Sequence, residues 1–498
     1  MDFKGRKKQI VSERIKKIEE LRKAGIEPYP YRFERNADFL YLQKKYEGLS
    51  SGEKTDEEVS IAGRVIACRI LGKISFAKLQ DENSTIQVVF QENETPGEVI
   101  SLFKKYVDIG DFIGVVGKVF RSKRGDLSVM VQKMKILSKA LYPIPIEHFG
   151  LKNKEERFRK RHLDLIVNPR VREIFKKRSQ MISVIRKFME EKGFMEVETP
   201  LLQTNYGGAS ARPFKTRINA WDMDMYLSIS PELYLKRLII GGYEKVFTIC
   251  KNFRNEGVDH SHNPEFTMLE AYQAYADYND MMSLTEQCFE FVAKKVFGKT
   301  KFKRKMGNRE VEIDFKAPWK KITLLDALKE YVGIDADKMS KEELLDFCKK
   351  NQLEVKEEDS WGDLVETIFE ELVEEKIVGP FHIIDRPKEG TPLCKRHRKD
   401  KRLNEQCEPV VAGMEVGNIY SELNDPILQE ETLKEQEEKG RGGDEEAHPM
   451  DKEFLEAIRQ GMPPCGGLGW GIDRMVMLMT ETESLREIIF FPTMKPEE

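Results

Sequence analysis

The 498 residues contain no C-x-x-C pair, no apolar run of 18 residues and no internal repeat, and their charge is almost balanced. Each absence removes a class of answer. The seven cysteines (Cys68, Cys250, Cys288, Cys348, Cys394, Cys407, Cys465) lack the paired spacing of a zinc site or a disulfide framework, which points to free thiols in a reducing compartment. No stretch is long and apolar enough for a transmembrane helix, and the N-terminus lacks the apolar centre of a secretion signal. A soluble, cytoplasmic protein with no membrane partner is expected. With 83 Lys and Arg against 86 Asp and Glu, no global basic field advertises a polyanion.

The length leaves room for two or three domains, and the chain divides readily. Residues 1–56 form a basic N-terminal segment: nine of the first 25 residues are Lys or Arg and four are acidic. Ile10, Ile15, Ile18 and Leu21 there mark the apolar edge of an amphipathic helix. Residues 57–140 alternate short apolar strands with turns such as Asp81-Glu82-Asn83-Ser84 and Lys123-Arg124-Gly125-Asp126. Five strands, with a helical stretch near Glu98–Tyr106 between the third and fourth, fit an OB-type β-barrel. Residues 141–152 read as a linker that Pro143 and Pro145 keep extended. A larger domain, 153–498, carries a Leu-, Glu- and Lys-rich helical insertion around 320–376. The tract Glu430–Glu446 reads as a mobile loop with some helix.

Three stretches of the larger domain carry chemistry. In FRNEGVDHSHNPEFTMLEAY, from Phe253 to Tyr272, Arg254 and Glu256 stand two apart, and a loop leads into an alternating run. On a strand that alternation places Phe266, Met268, Glu270 and Tyr272 on one face, and Arg254 and Glu256 on another. In Gly466-Gly467-Leu468-Gly469-Trp470-Gly471-Ile472-Asp473-Arg474, alternate glycines bare one strand face for close approach to the backbone. The third stretch, Gly193-Phe194-Met195-Glu196-Val197-Glu198-Thr199-Pro200, follows a helix whose apolar edge is Ile174, Ile182, Ile185, Phe188 and Met189, with Gly193 as its C-terminal cap.

Together these stretches resemble the three motifs of the class II aminoacyl-tRNA synthetases. The resemblance implies an α+β fold: an N-terminal OB-type barrel that reads an anticodon, then a catalytic antiparallel sheet flanked by helices. It also implies a homodimer through the first motif and an ATP-dependent ligase. Within that class the run Gly413 to Asn424 indicates the amino acid. Alternation puts Asn418, Tyr420 and Glu422 on one face, and Glu415 reaches the same site only if Gly417 marks a bulge or twist. Glu232, Glu270 and Glu422 would surround one substrate. An unshielded carboxylate about 4 Å away opposes an anionic substrate by about 4 kcal/mol at an effective dielectric of 20, so the pocket selects a cation such as lysine. Residues 153–496 and the barrel resemble the lysyl branch of the class.

Carried over residue by residue, the resemblance implies that Arg254 and Asn418 hold the lysine carboxylate and that Gly208 and Glu232 bind its α-amino group. Glu270, Tyr272 and Glu422 would fix the ε-ammonium, and Tyr420 would line the aliphatic stem. Phe266 would stack on adenine, with Glu256, His262, Asn263, Gly471 and Arg474 completing the ATP site. Arg254 and Arg474 are the implied catalytic cations, and Glu408 and Glu415 the ligands of Mg2+ bound with ATP. Arg69, Phe76, Gln87 and Asp126 match anticodon contacts for tRNA(Lys). Ser261 stands where bacterial members often carry arginine, which leaves the γ-phosphate partner open. The rival readings are an aspartyl- or asparaginyl-type synthetase, a lysine-activating paralogue that modifies a protein, and a silent RNA-binding protein. The carboxylate count opposes the first, the barrel the second, and the intact Arg254, Glu256, Glu408, Glu415 and Arg474 the third.

Overall fold

A computed structural model describes residues 3–145, 151, 153–259, 262–441 and 449–496. The chain forms two compact units, Met1–Lys154 and Glu155–Glu498. Among the described residues no helix is long and apolar enough to cross a membrane, and all seven cysteines are free.

The first unit contains helices α1 (Phe3–Lys23) and α2 (Phe39–Lys45), then strands β1 (Lys54–Leu71), β2 (Ile74–Gln80) and β3 (Thr85–Gln91). Helix α3 (Gly97–Tyr106) precedes β4 (Phe112–Arg121) and β5 (Leu127–Ser138). The strands close into a barrel in the order β1-β2-β3-β5-β4, the expected five strands with the helix where expected. Inward positions such as Val59, Ile61, Ala77, Leu79, Val88 and Val115 fill it, with α3 contributing Phe103. One expectation fails in α1. Ile15 is exposed; the docked edge is Arg14, Ile18 and Leu21. Arg14 replaces an apolar residue there because its guanidinium donates to the carbonyls of Ile109, Ala140 and Tyr142, which satisfies a buried cation.

The second unit is built on one eight-stranded sheet. In chain order its elements are α4 (Pro169–Glu191), β6 (Met195–Glu196), α5 (Glu232–Ile240), β7 (Lys245–Phe253), β8 (Glu265–Ala274) and α6 (Tyr278–Val292). Next come β9 (Lys320–Thr323), α7 (Leu324–Tyr331), α8 (Lys341–Lys350), α9 (Trp361–Leu372), β10 (Phe381–Ile384), β11 (Gln406–Val410) and β12 (Gly417–Ser421). The last are α10 (Pro426–Arg441), β13 (Cys465–Gly471) and α11 (Ile472–Met479). Strand order is β9-β10-β11-β12-β13-β8-β7-β6. The five central pairings are antiparallel, and only the outermost ones, β9 with β10 and β7 with β6, are parallel.

One sheet face is sealed. Leu269 and Ala271 of β8, Ile419 of β12 and Leu468 and Trp470 of β13 pack with Met181, Ile185, Phe188 and Met189 of α4, Phe289 of α6 and Met475–Met479 of α11. Helix α4 ends as its sequence requires: Gly193 has φ +82°, a left-handed cap that glycine adopts without a Cβ penalty. Residues 320–376 are not helical from the start, because Lys320–Thr323 is the edge strand β9, and α7 to α9 follow with their own core around Leu328, Leu344 and Ile368. The tract expected to be a mobile loop with some helix is helical as far as Arg441, where α10 ends, and residues 442–448 lie outside the described residues.

Candidate active site

The opposite sheet face floors a cavity of about 700 Å³, within the range of small-molecule sites. Period-two alternation decides what it contains. Met268, Glu270 and Tyr272 point into it while Leu269 and Ala271 enter the core. Asn418, Tyr420 and Glu422 also line it. The glycines of β13 make room: a Cβ on Gly467 would lie 1.9 Å from Glu422 Oε1 and 2.6 Å from Tyr272.

Two local expectations are corrected. Arg254 and Glu256 do not share a strand face, because β7 ends at Phe253; they occupy the following loop and still line the cavity. Gly417 marks no bulge, since β12 pairs with β13 without a register shift. Glycine is needed there because a Cβ would stand 2.4 Å from the Gly469 carbonyl oxygen. Glu415 reaches the site from a turn before β12, in which Ala412 and Gly413 have φ +52° and +68°.

At one end of the cavity three buried carboxylates converge: Glu232 at the start of α5, Glu270 in β8 and Glu422 just past β12. Ser230 Oγ donates to Glu270 Oε1 at 2.8 Å, and Tyr272 Oη donates to Oε2 at 3.3 Å. Burial pushes the Glu270 carboxyl up to about 8, with the charge of Glu232 adding to the effect, and burial pushes Glu422 up to about 7. Burial also raises Glu232. The carboxylates are not unshielded as expected. Lys236, one helical turn beyond Glu232, lies 2.6 Å from Glu232 Oε1 and 2.5 Å from Glu422 Oε2. Gly208 lies beside this group: a Cβ there would stand 2.7 Å from Ser230 Oγ and 2.8 Å from Glu232 Cβ.

Between the ends, the Arg254 guanidinium lies 5.2 Å from the centroid of the Phe266 ring. Its Nε is buried without a hydrogen-bond partner, a donor left for a ligand. Asn418 Nδ2 donates to Glu408 Oε1 at 3.4 Å. At the other end, Glu408 is paired with Arg386, which also binds Glu366. Burial drives the Glu408 carboxyl far up; Arg386 opposes this, while Glu415, Glu366 and Glu374 add to it. Arg474 Nη1 donates to the Glu415 carbonyl at 2.6 Å and lies 3.3 Å from Glu415 Oε2. Glu256, His262, Asn263 and Gly471 complete this end, with His262 Nδ1 2.9 Å from Asp259 Oδ2. His260 and Ser261 lie outside the described residues.

Lys236, Arg386, Ser230 and the acidic side chains of α9 (Asp363, Glu366, Glu370) are site residues that sequence reasoning missed. The Glu232–Lys236 spacing was the one available signal, since residues four apart face each other on a helix.

The proposed anticodon residues also come together, in the first unit. Arg69 and Phe76 are direct partners across β1 and β2, and Phe76 faces outward beside Lys78, whose partner is Gln87. Gln87 Nε2 donates to Ser128 Oγ at 2.9 Å, and that hydroxyl donates to the Asp126 carbonyl at 3.1 Å. Phe76 is half-buried on the barrel surface while its neighbours Ser75 and Ala77 are fully buried.

Residues 153–495 match the family described as tRNA synthetases class II (D, K and N). Residues 59–137 match the OB-fold nucleic acid binding domain. A Thermotoga maritima protein named lysine–tRNA ligase is 47% identical over 493 residues, covering 98% of this chain and 97% of that protein. The Pelotomaculum thermopropionicum protein of the same name is also 47% identical, covering 98% and 96%, and that of Methanoculleus marisnigri is 46% identical, covering 97% and 94%. The chain belongs to the lysine–tRNA ligase family of class II tRNA synthetases.

Proposed function

We propose that the chain activates L-lysine with ATP and transfers it to tRNA(Lys) in the cytoplasm, acting as a homodimer. The observation that carries the reading is the convergence of Glu232, Glu270 and Glu422 at one end of a cavity whose other end holds Arg254, Phe266, Glu408, Glu415 and Arg474. A cation with a carboxylate fits the first end, and a nucleotide with its phosphates fits the second. Lysine would place its ε-ammonium among Glu270, Tyr272 and Glu422, its α-ammonium at Glu232 and Gly208, and its stem along Tyr420. Its carboxylate would meet Arg254 and Asn418. Exposed Met195 in the stretch Gly193–Pro200, with Leu201 and Leu202 just beyond it, gives an apolar surface for a second copy; a monomer mass in sedimentation equilibrium would reject the dimer.

Adenylation needs no nucleophilic side chain. A lysine carboxylate oxygen attacks the α-phosphorus, the bond to the bridging oxygen breaks, and pyrophosphate leaves. Arg254 stabilises charge developing on the phosphoryl oxygens, and the cavity aligns two substrates, a large entropic advantage. The terminal tRNA 3′-hydroxyl then attacks the adenylate carbonyl and AMP leaves. Magnesium fits the second end: Glu408 and Glu415 offer hard oxygen ligands in a cluster with more carboxylates than cations. Bound with ATP, it would neutralise phosphate charge. Among the described residues no group of three or more His, Cys, Asp or Glu is placed to hold a metal ion by itself, so nucleotide oxygens would complete its shell.

Pyrophosphate exchange measured across the amino acids tests the reading. Lysine should drive exchange, and aspartate and asparagine should not; preference for either of the latter overturns it. The barrel's part is separable. Phe76→Ala should weaken tRNA binding by about 1–3 kcal/mol, the worth of a base stacked on an aromatic ring, with lysine-dependent exchange unchanged. Equal tRNA affinity in the variant would leave Phe76 an idle surface ring.

A further inference from the structure

Lys236 is fully buried, yet both its acidic partners line the cavity. Its ammonium has three donors, and three oxygens meet them: Glu232 Oε1 at 2.6 Å, Glu422 Oε2 at 2.5 Å and the Leu393 carbonyl at 3.4 Å. The side chain is therefore held, with no donor to spare for a ligand. Glu422 differs. Lys236 meets its Oε2, while the buried Oε1 accepts no hydrogen bond from the chain and keeps its acceptor capacity at a cavity wall. A cation fixed behind two cavity-lining carboxylates controls how much negative charge they show a substrate.

We propose that Lys236 is a positioning and specificity-determining residue: a built-in cation that keeps Glu232 and Glu422 ionised and sets the charge the substrate must complete. The inference rests on the reading of this end as the lysine pocket. Once ionised, Glu232, Glu270 and Glu422 bring three negative charges, and Lys236 and Arg254 bring two positive ones. One negative charge remains, and lysine, with two ammonium groups and one carboxylate, cancels it. A neutral amino acid leaves the pocket one charge short and an acidic one leaves it two short, each uncompensated in a buried site.

The groups around Lys236 support this role. Glu232 on its own helix and Glu422 beyond β12 are its ion partners. Glu270 and Tyr272 of β8, Tyr420 of β12, Cys465 of β13 and Cys394 beside Leu393 surround the same carboxylates, and burial raises each of them, which disfavours further negative charge. Burial opposes the charge on Lys236 itself, but the attraction of Glu232 and Glu422 exceeds it and holds the proton. Without that cation both carboxyls would rise further and meet lysine protonated.

Two measurements test the proposal. In Lys236→Met, a neutral chain of similar length, the midpoint of kcat/KM for lysine against pH should move up by about one unit or more, because each unit is a tenfold change in ionisation. The lysine KM at pH 7 should rise about tenfold or more while the ATP KM stays within about twofold. A midpoint shared with the parent overturns the role, as does a loss equal at every pH or shared with ATP. Should the variant not fold, the parent decides. Calorimetry in buffers of different ionisation heat counts protons released when lysine binds at pH 8, corrected for lysine's own amines. Carboxylates kept ionised by Lys236 leave only Glu270 to deprotonate, so about one proton or fewer should appear; two or three overturn the proposal. A parent with no lysine-dependent exchange would instead overturn the lysine reading itself, and this inference with it.

Discussion

Glu422→Gln should reduce kcat/KM for lysine by about 100-fold or more while the ATP KM stays within about threefold. Glu422 is 1% exposed and paired with Lys236. Removing one partner of a buried ion pair costs about 3–5 kcal/mol because the other charge is stranded, and about 1.4 kcal/mol is a factor of ten. Here the amide strands both Lys236 and the incoming ε-ammonium. The pH dependence has a definite sign. Burial raises Glu422 to about 7 and Glu270 to about 8, so each carries charge only above those values. A cationic substrate needs that charge, so lysine should bind more tightly as pH rises from 6 to 8. In Glu422→Gln the lower of these two ionisations should vanish from the profile. Activation of lysine within about threefold of the parent, roughly 0.7 kcal/mol, would remove Glu422 from the pocket.

Much of this site was legible because strand alternation is local. Phe266, Met268, Glu270 and Tyr272 reach one cavity since each is two residues from the next on β8. The same rule placed Asn418, Tyr420 and Glu422, and the glycine alternation of β13 announced the close approach that Gly467 makes. Where the rule was extended into a loop it failed. Arg254 and Glu256 were assigned a face by alternation, but β7 stops at Phe253, and loop geometry has no period to read. Gly417 illustrates a second limit. The sequence suggested a backbone irregularity there, but the cause is steric contact with Gly469 across the sheet, which requires knowing that β12 and β13 are neighbours.

The partners of the carboxylates were harder still. Glu422 and Lys236 are 186 positions apart, and Arg386 reaches Glu366 across 20 positions and Glu408 across 22. Such pairs depend on tertiary packing, which composition and spacing do not encode. Electrostatics sharpened the consequence. A count of carboxylates alone implied a pocket hostile to every anion, whereas Lys236 lowers that charge and makes the balance selective. In the barrel, Phe76 alternates with Ser75 and Ala77 in a run that is apolar on both faces, so its orientation followed only from the register of β2 with β1 and β3.

Glu415→Gln should abolish adenylation while lysine binding is retained, and it should do so through magnesium. Glu415 and Glu408 lie at the nucleotide end with Glu366 and Glu374 close enough to raise the Glu408 carboxyl further, against Arg386. Two neighbouring carboxylates without a third ligand hold a small hard cation weakly, because magnesium demands near-octahedral oxygen coordination and gives up its water reluctantly. ATP phosphates supply the missing oxygens. Calorimetry should therefore show little magnesium binding to the free protein below about millimolar ion, the weak end of biological divalent-cation sites, and clear binding once ATP is present. Neutralising Glu415 removes one charged ligand and also the negative charge that faces Arg474 Nη1 at 3.3 Å, so the ion and an arginine of the nucleotide site are disturbed together. Lysine sits at the other end, among Glu232, Glu270 and Glu422, and its affinity without ATP should stay within about threefold, or roughly 0.7 kcal/mol. Tight magnesium binding without ATP would contradict the shared-ligand reading, and a fully active Glu415→Gln enzyme would take Glu415 out of the metal site altogether.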